Sequence, residues 1–268
     1  DKEFNFSIDD YPVTEKSAAK RLEEFVETSI SNYKELRDIP SLSSTSNLSS
    51  SFAIGLVTSK QAINQVLSSS DGTGTGQFAW VNEIIWREFY KYITYHYPHV
   101  SKGKSFNPKY DLIPWREDED SFIKWCEGKT GIPIVDAAMR QLNQTKWMHN
   151  RLRMITAMFL SKNLLIDWRK GERYFMENLI DGDFCSNNGG WQWSASTGVD
   201  ASPYFRIFNP ITQSEKFDPD GEFIKRFVTE LIECPSNEIH NPSKETRSSL
   251  NYPEMIVDLK SSRLRAID

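Results

Sequence analysis

Asp181–Trp193 reads D-G-D-F-C-S-N-N-G-G-W-Q-W, two carboxylates, two adjacent amides and two tryptophans set among three glycines. A hydrophobic core has little use for that mixture, because each buried carboxylate or amide must find a hydrogen-bond partner or cost free energy. A polar heteroaromatic ligand supplies such partners, with acceptors for amide N–H groups, a ring edge for carboxylates and a face for indoles. Gly189-Gly190 would let the backbone approach that ligand closely. The alternative is a glycine-rich surface turn whose Trp191 and Trp193 fold into the core. The segment alone does not choose between the two.

Composition narrows the classes. A chain of 268 residues forms one large domain or two ordinary ones and can bury a real core. Aromatics at 13%, with eight tryptophans, favour an aromatic-lined pocket or a very aromatic core. A net charge of −5 makes no global case for nucleic acid, so any such case is local. Cys126, Cys185 and Cys234 are far apart and odd in number, which argues against a disulfide scaffold or zinc site and for a reducing compartment. No apolar run reaches transmembrane length and no signal peptide opens the chain. A soluble, intracellular protein is expected.

Helical periodicity dominates and no useful alternating strand is found. Thr14 is expected to open a helix through Ile30, with further helices at 77–97, 119–127, 132–145, 148–166, 171–180 and 220–232. Residues 41–51 and 68–76 read as loops. The expected fold is all-α, one multi-helical domain over 1–268, and the lack of a βαβ pattern excludes a Rossmann-type route to a dinucleotide.

Helix 77–97 shows two faces. Val81, Ile84, Ile85, Phe89 and Tyr92 form an apolar stripe expected to meet the core, opposite Trp80, Glu83, Trp86, Arg87 and Tyr90. Tryptophans on a nominal solvent face point to a ligand or DNA rather than to a mere exposed ion pair. In helix 148–166, Asn150, Arg153, Met154, Ala157 and Met158 share a face. Between Arg140 and Arg173 eight cations stand against Asp167 and Glu172, which suits a phosphate backbone or a solvated basic surface. T45-S46-N47-L48-S49 is hydroxyl-rich, and reads either as an anion site or as a helix cap.

Taken together, W-V-N-E-I-I-W-R-E-F-Y, E-G-K-T-G-I-P-I-V-D-A-A-M-R-Q-L, W-M-H-N-R-L-R-M, D-G-D-x-x-x-N-N-G-G-W-Q-W-x-A-S-T-G and P-Y-F-R-I-F-N-P-x-x-Q resemble, in order, the helical FAD-binding domain of the photolyase/cryptochrome family. The likeness is to class I cyclobutane pyrimidine dimer photolyases and covers about Pro12 to Lys260. It implies one noncovalent FAD per chain, folded in a U and active as FADH⁻. By resemblance, Tyr33 and Thr45, Ser46, Asn47, Leu48 and Ser49 hold phosphates and ribityl, while Trp80 and Trp147 lie near the cofactor. Asp181, Gly182 and Asp183 line the flavin, Asn187 faces its N5, and Arg153 pairs with Asp181. Glu83, Trp86, Asn150, Met154 and Trp193 would meet a flipped lesion, a step for which photolyases are a known example. Arg37, Arg87, Arg151, Arg206 and Gln213 would hold the strand, with Glu83 and Asn150 adding contacts. Trp191, Trp168 and Trp115 match the relay that reduces oxidised flavin in light.

The implied activity is a carbon–carbon lyase acting on DNA that contains such dimers, as a monomer and away from membranes. Its place would be the nucleus or mitochondrion of a eukaryote, or the cytoplasm of a bacterium. The family's N-terminal α/β antenna domain is absent from the sequence, so no antenna pigment is expected on this chain. Asn47 stands where many relatives carry arginine, and S-S-S-F-A-I-G-L-V-T-S-K strays from the usual pattern. A cryptochrome-type blue-light receptor and an FAD-binding fragment without repair are the competing readings. Asn187 favours repair, since the motif carries aspartate in plant cryptochromes and cysteine in animal ones.

Overall fold

Short polar caps start most helices of this chain. Thr14 and Ser17 exchange side-chain and backbone bonds in a capping box, Thr58 and Gln61 do the same, and Asp118, Asp167 and Asp183 each accept a backbone N–H of the turn they open. The computed structural model describes residues 11–69 and 74–267. Among these it forms fourteen α-helices and no strand. The first seven are α1 (Glu15–Thr28), α2 (Tyr33–Leu36), α3 (Ser49–Ile54), α4 (Ser59–Leu67), α5 (Thr75–His96), α6 (Glu119–Glu127) and α7 (Pro133–Thr145). There follow α8 (Asn150–Met158), α9 (Trp168–Asn178), α10 (Phe184–Ala195), α11 (Pro210–Phe217), α12 (Glu222–Phe227), α13 (Lys244–Ser249) and α14 (Leu259–Ile267).

The all-α expectation holds, with changes of detail. The 41–51 stretch is not loop throughout, because Ser49, Ser50 and Ser51 already form the first turn of α3. Of the 68–76 loop, residues 70–73 lie outside the described residues and Thr75 already begins α5. The helix expected over 148–166 is α8 followed by a π-helical turn at Phe159–Asn163. Asp181–Trp193 is not a surface turn. It is a short turn leading into α10, with both Gly189 and Gly190 inside the helix.

Burial gathers into two cores. The smaller takes Leu22, Phe25 and Val26 of α1, Ala62 and Val66 of α4, and Trp80 and Ile84 of α5. The larger takes Trp125, Met139, Leu142, Leu152, Phe159, Trp168, Phe175 and Trp191 from α6 to α10, with Phe223 and Ile224 of α12. Close approach in the larger core depends on Gly171, where an added Cβ would lie 2.1 Å from the ring of Trp191.

The stripe expected on α5 is corrected. Its buried line is Gly76, Gln77, Trp80 and Ile84, while Ile85 is 56% and Tyr92 67% exposed and both line a groove of about 650 Å³ open to solvent. Trp80 packs instead against Phe25 and Phe52. The cause is that α5 faces the small core with its first half and α10 with its second, so no single stripe runs its length.

His149 couples this packing to pH. It is 2% exposed, and its Nδ1 accepts the Arg151 N–H at 3.2 Å where α8 begins. Burial, aided by the neighbouring Arg153 and Arg151 charges, lowers its pKa to about 4. The unfolded chain therefore takes up a proton near pH 6.5 while the folded chain does not, so stability is fully present above pH 6.5 and falls as pH drops towards 4. His149→Asn keeps a capping side chain without the titration. Its unfolding free energy, from urea melts, is expected to lose about 3 kcal/mol less than that of the unaltered chain across this window. Parallel losses would show that His149 is not the group responsible.

Candidate functional site

Asp181 lies in the turn before α10, its side chain 1% exposed, and receives Arg153 of α8 at 2.7 Å. Arg153 also donates Nε to the Met148 carbonyl, so the guanidinium is fixed from two sides. One carboxylate oxygen, Asp181 Oδ1, is buried and has no partner. Asp183 caps α10 through Ser186 N, and its other oxygen lies 3.5 Å from Arg87 of α5. Gly182 sits between them against Met176 and the Leu179 carbonyl. Gly189 serves helix packing rather than ligand approach, since a Cβ there would stand 2.1 Å from the Tyr90 ring. Nothing lies within 4 Å of the Cβ position of Gly190, which leaves that glycine open.

The two amides have different partners. Asn187 donates Nδ2 to the Glu172 backbone carbonyl at 2.9 Å, leaving its oxygen as the available acceptor. Asn188 donates to the Glu172 carboxylate at 2.8 Å and accepts from Gln192 at 3.0 Å. Burial raises the Glu172 pKa.

Arg87 links the Asp183 cap of α10 to the Phe52 carbonyl of α3. Thr45 donates to the Asn47 side chain at 3.2 Å, and Asn47 takes a left-handed φ of 51°, a conformation asparagine adopts more readily than most residues. Leu48 is fully buried as the anchor of this turn, and Ser46 is half-buried beside it. Ser49 Oγ accepts the Trp147 indole N–H at 3.3 Å. Ser50 and Ser51, which the expected set stopped short of, carry buried hydroxyls without partners. Their sequence signal was the S-S-S run itself. Tyr33 is buried edge-on to Phe25, and burial raises its hydroxyl pKa.

Between the two cores runs a seam bridged by polar contacts. Arg151 reaches Asp38 at 2.7 Å and stacks over Phe217, Trp147 reaches Ser49, Arg87 reaches Asp183 and the Phe52 carbonyl, and Arg226 reaches the Ser41 carbonyl. The unpartnered oxygens of Ser50, Ser51 and Asp181 belong to elements on its two sides. Hydroxyls that can donate, together with a carboxylate oxygen that can accept, suit the phosphate and ribityl oxygens and the ring N–H of a flavin dinucleotide. The residues therefore fit the group.

Outside the seam, Glu83 is ion-paired with Arg37, which lies over the Tyr33 ring. Trp86 is 38% exposed, Asn150 and Arg206 are exposed, and Met154, Trp193 and Gln213 are half-buried. Five of the eight cations counted between 140 and 173 are paired with carboxylates, four at partly buried positions and Lys170 at the surface. Arg140 meets Glu230, Arg151 meets Asp38, Arg153 meets Asp181, Arg169 meets Asp111 and Lys170 meets Glu119.

Trp191 and Trp168 are fully buried in the large core, and Trp115 packs on its edge. Trp191 meets Phe175 and Trp125 edge-on at 5.0 and 6.0 Å. The indole N–H groups of Trp115, Trp168 and Trp191 are buried without partners, whereas Trp125 donates to the Thr156 carbonyl.

Residues 80–268 match the family model for the FAD binding domain of DNA photolyase. The chain is 49% identical to the deoxyribodipyrimidine photo-lyase of Escherichia coli, over 98% of its own length and 57% of that protein. It is 48% identical to that of Neurospora crassa, over 96% and 45%. It thus spans about half the length of these relatives. Among solved structures, a bacterial class III photolyase from Agrobacterium tumefaciens superposes with a TM-score of 0.91 at 42% identity, covering 97% of this chain and 56% of the other. The Synechocystis cryptochrome superposes at 0.89 with 30% identity, covering 99% and 58%. With its helices, its seam and these likenesses in agreement, the chain belongs to the family of DNA photolyase FAD-binding domains.

Proposed function

We propose that this chain is the catalytic part of a light-driven DNA-repair lyase that holds one FAD and splits cyclobutane pyrimidine dimers. The observation that carries the reading is the buried, unpartnered Asp181 oxygen beside Arg153, an acceptor that a flavin ring N–H would satisfy, in a chain whose relatives are named deoxyribodipyrimidine photo-lyase. Reduced flavin, when bound and excited, would lend the electron that opens the dimer and would take it back once both cyclobutane bonds have split.

The protein's own residues hold, orient and shield. Thr45 to Ser49, with Ser50 and Ser51 behind them, take the phosphates and ribityl, and Tyr33, Trp80 and Trp147 wall that end. Asp181, Gly182 and Asp183 take the ring, with Arg153 compensating the carboxylate. Because one Asn187 N–H is held by the Glu172 carbonyl, the amide is oriented and its oxygen is left for a protonated ring nitrogen, as the reduced flavin offers. Trp86 and Trp193 offer stacking faces to a flipped lesion, with Asn150 and Met154 beside them. Arg37 keeps Glu83 in place, where its carboxylate can accept a ring N–H of the lesion. Arg87, Arg151, Arg206 and Gln213 address the strand. Trp191, Trp168 and Trp115 would relay electrons from an external reductant, such as a thiol, to an oxidised flavin. The enzyme works as a monomer at DNA, and among the described residues no helix is long and apolar enough to cross a membrane. The photoreceptor alternative rests on the cryptochrome likeness at 30% identity, below the 49% of a photo-lyase relative.

Denaturing the purified chain and chromatographing what it releases is expected to give equimolar FAD, and chemically reduced protein under blue light is expected to restore pyrimidines in a dimer-containing oligonucleotide. FMN, or no flavin, would defeat the cofactor assignment. Bound FAD with intact dimers would defeat the repair reading and favour the photoreceptor.

Trp168→Phe fills the same buried space, so fold and flavin content are expected to persist. Photoreduction of oxidised flavin with an external thiol should slow, while repair by pre-reduced protein survives. An unchanged photoreduction rate would make Trp168 simply a core residue.

A further inference from the structure

Lys162 is a lysine where the interior would ordinarily take an aliphatic residue. It is 5% exposed and sits in the π-helical turn Phe159–Asn163, a local widening of the helix that recurs at functional positions. Its Nζ donates to the Arg206 carbonyl at 2.8 Å, to Ser202 Oγ at 3.3 Å and to the Pro203 carbonyl at 3.5 Å. All three acceptors are neutral oxygens, and all belong to one five-residue segment. Burying an ammonium against neutral oxygens costs free energy that a methionine in its place would not incur. Stability alone therefore does not account for it.

The segment it holds carries two adjacent exposed aromatics and an arginine. Tyr204 is 61% and Phe205 58% exposed, their rings edge to face at 5.5 Å, and Arg206 is exposed beside them. Ser202 is the inner end of the segment. Its N–H and its hydroxyl both donate to the Trp193 carbonyl, at 3.2 and 3.1 Å. Lys162 thus ties the segment to the core and, through Ser202, to the end of α10 that bears Trp193. Free, such a segment would lose side-chain and backbone freedom on meeting a ligand, and a fixed one has already lost it.

We propose that Lys162 is a positioning residue for damaged DNA, fastening residues 202–206 so that Tyr204, Phe205 and Arg206 meet the strand as a preformed surface beside Trp193. The proposal rests on the repair reading given above. It touches no part of the flavin site, so cofactor content is a control. Among the described residues Arg206 alone adds a charge effect on Lys162, and it acts with burial to lower the pKa to about 8. Loss of the proton leaves two N–H groups for three oxygens and removes the charge that strengthens them.

The test compares the flavin-loaded chain with Lys162→Met and with the milder Ser202→Ala. For Lys162→Met the expected result is roughly ten-fold or more weaker binding to a dimer-containing oligonucleotide, with a smaller loss on undamaged DNA. Flavin content and thermal midpoint should hold, while chymotrypsin cleaves after Tyr204 or Phe205 faster. Ser202→Ala should move binding the same way by less. In the unaltered chain, affinity for the dimer should decline as pH rises through about 8 and the Met variant should be flat there. Equal dimer affinity in the unaltered and Met chains overturns the role of Lys162 alone, as does faster cleavage without weaker binding. Should Lys162→Met fail to fold, unchanged affinity in Ser202→Ala together with a flat pH profile in the unaltered chain overturns it. An unaltered chain that binds damaged DNA no better than undamaged overturns the repair reading, and the Lys162 proposal falls with it.

Discussion

A carboxylate almost without solvent contact at Asp181 constrains everything near it. Unpaired, such a group is among the most costly things a fold can bury, and truncating the partner of a buried ion pair typically costs about 3–5 kcal/mol. Arg153 must therefore arrive at one place, which fixes the rotation of α8 and its separation from the turn before α10. His149 and Met148 then set where α8 begins, the first by capping and the second by holding Arg153 Nε. Because Arg153 satisfies only one oxygen, the other remains a demand that the protein does not meet by itself.

The same reasoning extends to the seam. Two apolar cores that met through hydrophobic surface would close on each other, whereas polar bridges at their edges hold them in register. Arg151–Asp38 and Arg87–Asp183 do this with partners 113 and 96 residues apart in the chain. Each of these arginines is thereby half committed. Under the proposed repair reading, a phosphate that recruited Arg151 would compete with Asp38, so the electrostatic gain on meeting DNA would be smaller than a count of cations suggests.

That competition marks the limit of what could be read from residue order. Helix existence was legible because caps and apolar periods are local, as with Thr14 for α1. The Arg153–Asp181 pair was legible only through family motifs, since nothing local joins the two positions. The stripe on α5 was misread because hydrophobicity records residue type and not the neighbour. Trp80 and Ile85 are both apolar, and only packing against Phe25 decides that Trp80 is inside. Gly189 was read as room for a ligand and is room for Tyr90. Lys162 gave no local signal at all, because its three acceptors come from residues 202–206.

Glu172 shows how one residue can serve two amides by different means. Asn187 is oriented by the Glu172 backbone carbonyl, which cannot titrate, while Asn188 bonds to its carboxylate, whose pKa burial has raised. A proton on Glu172 would weaken the second contact and leave the first intact. The oxygen of Asn187 therefore keeps its direction through any change of charge at Glu172. A site that must distinguish a protonated ring nitrogen from a bare one needs such an acceptor, because an amide free to flip would present N–H and C=O alike. Because that orientation rests on a backbone atom of α9, itself locked to α10 where Gly171 admits Trp191, any such discrimination under the proposed reading would be a property of helix packing rather than of a titrating side chain.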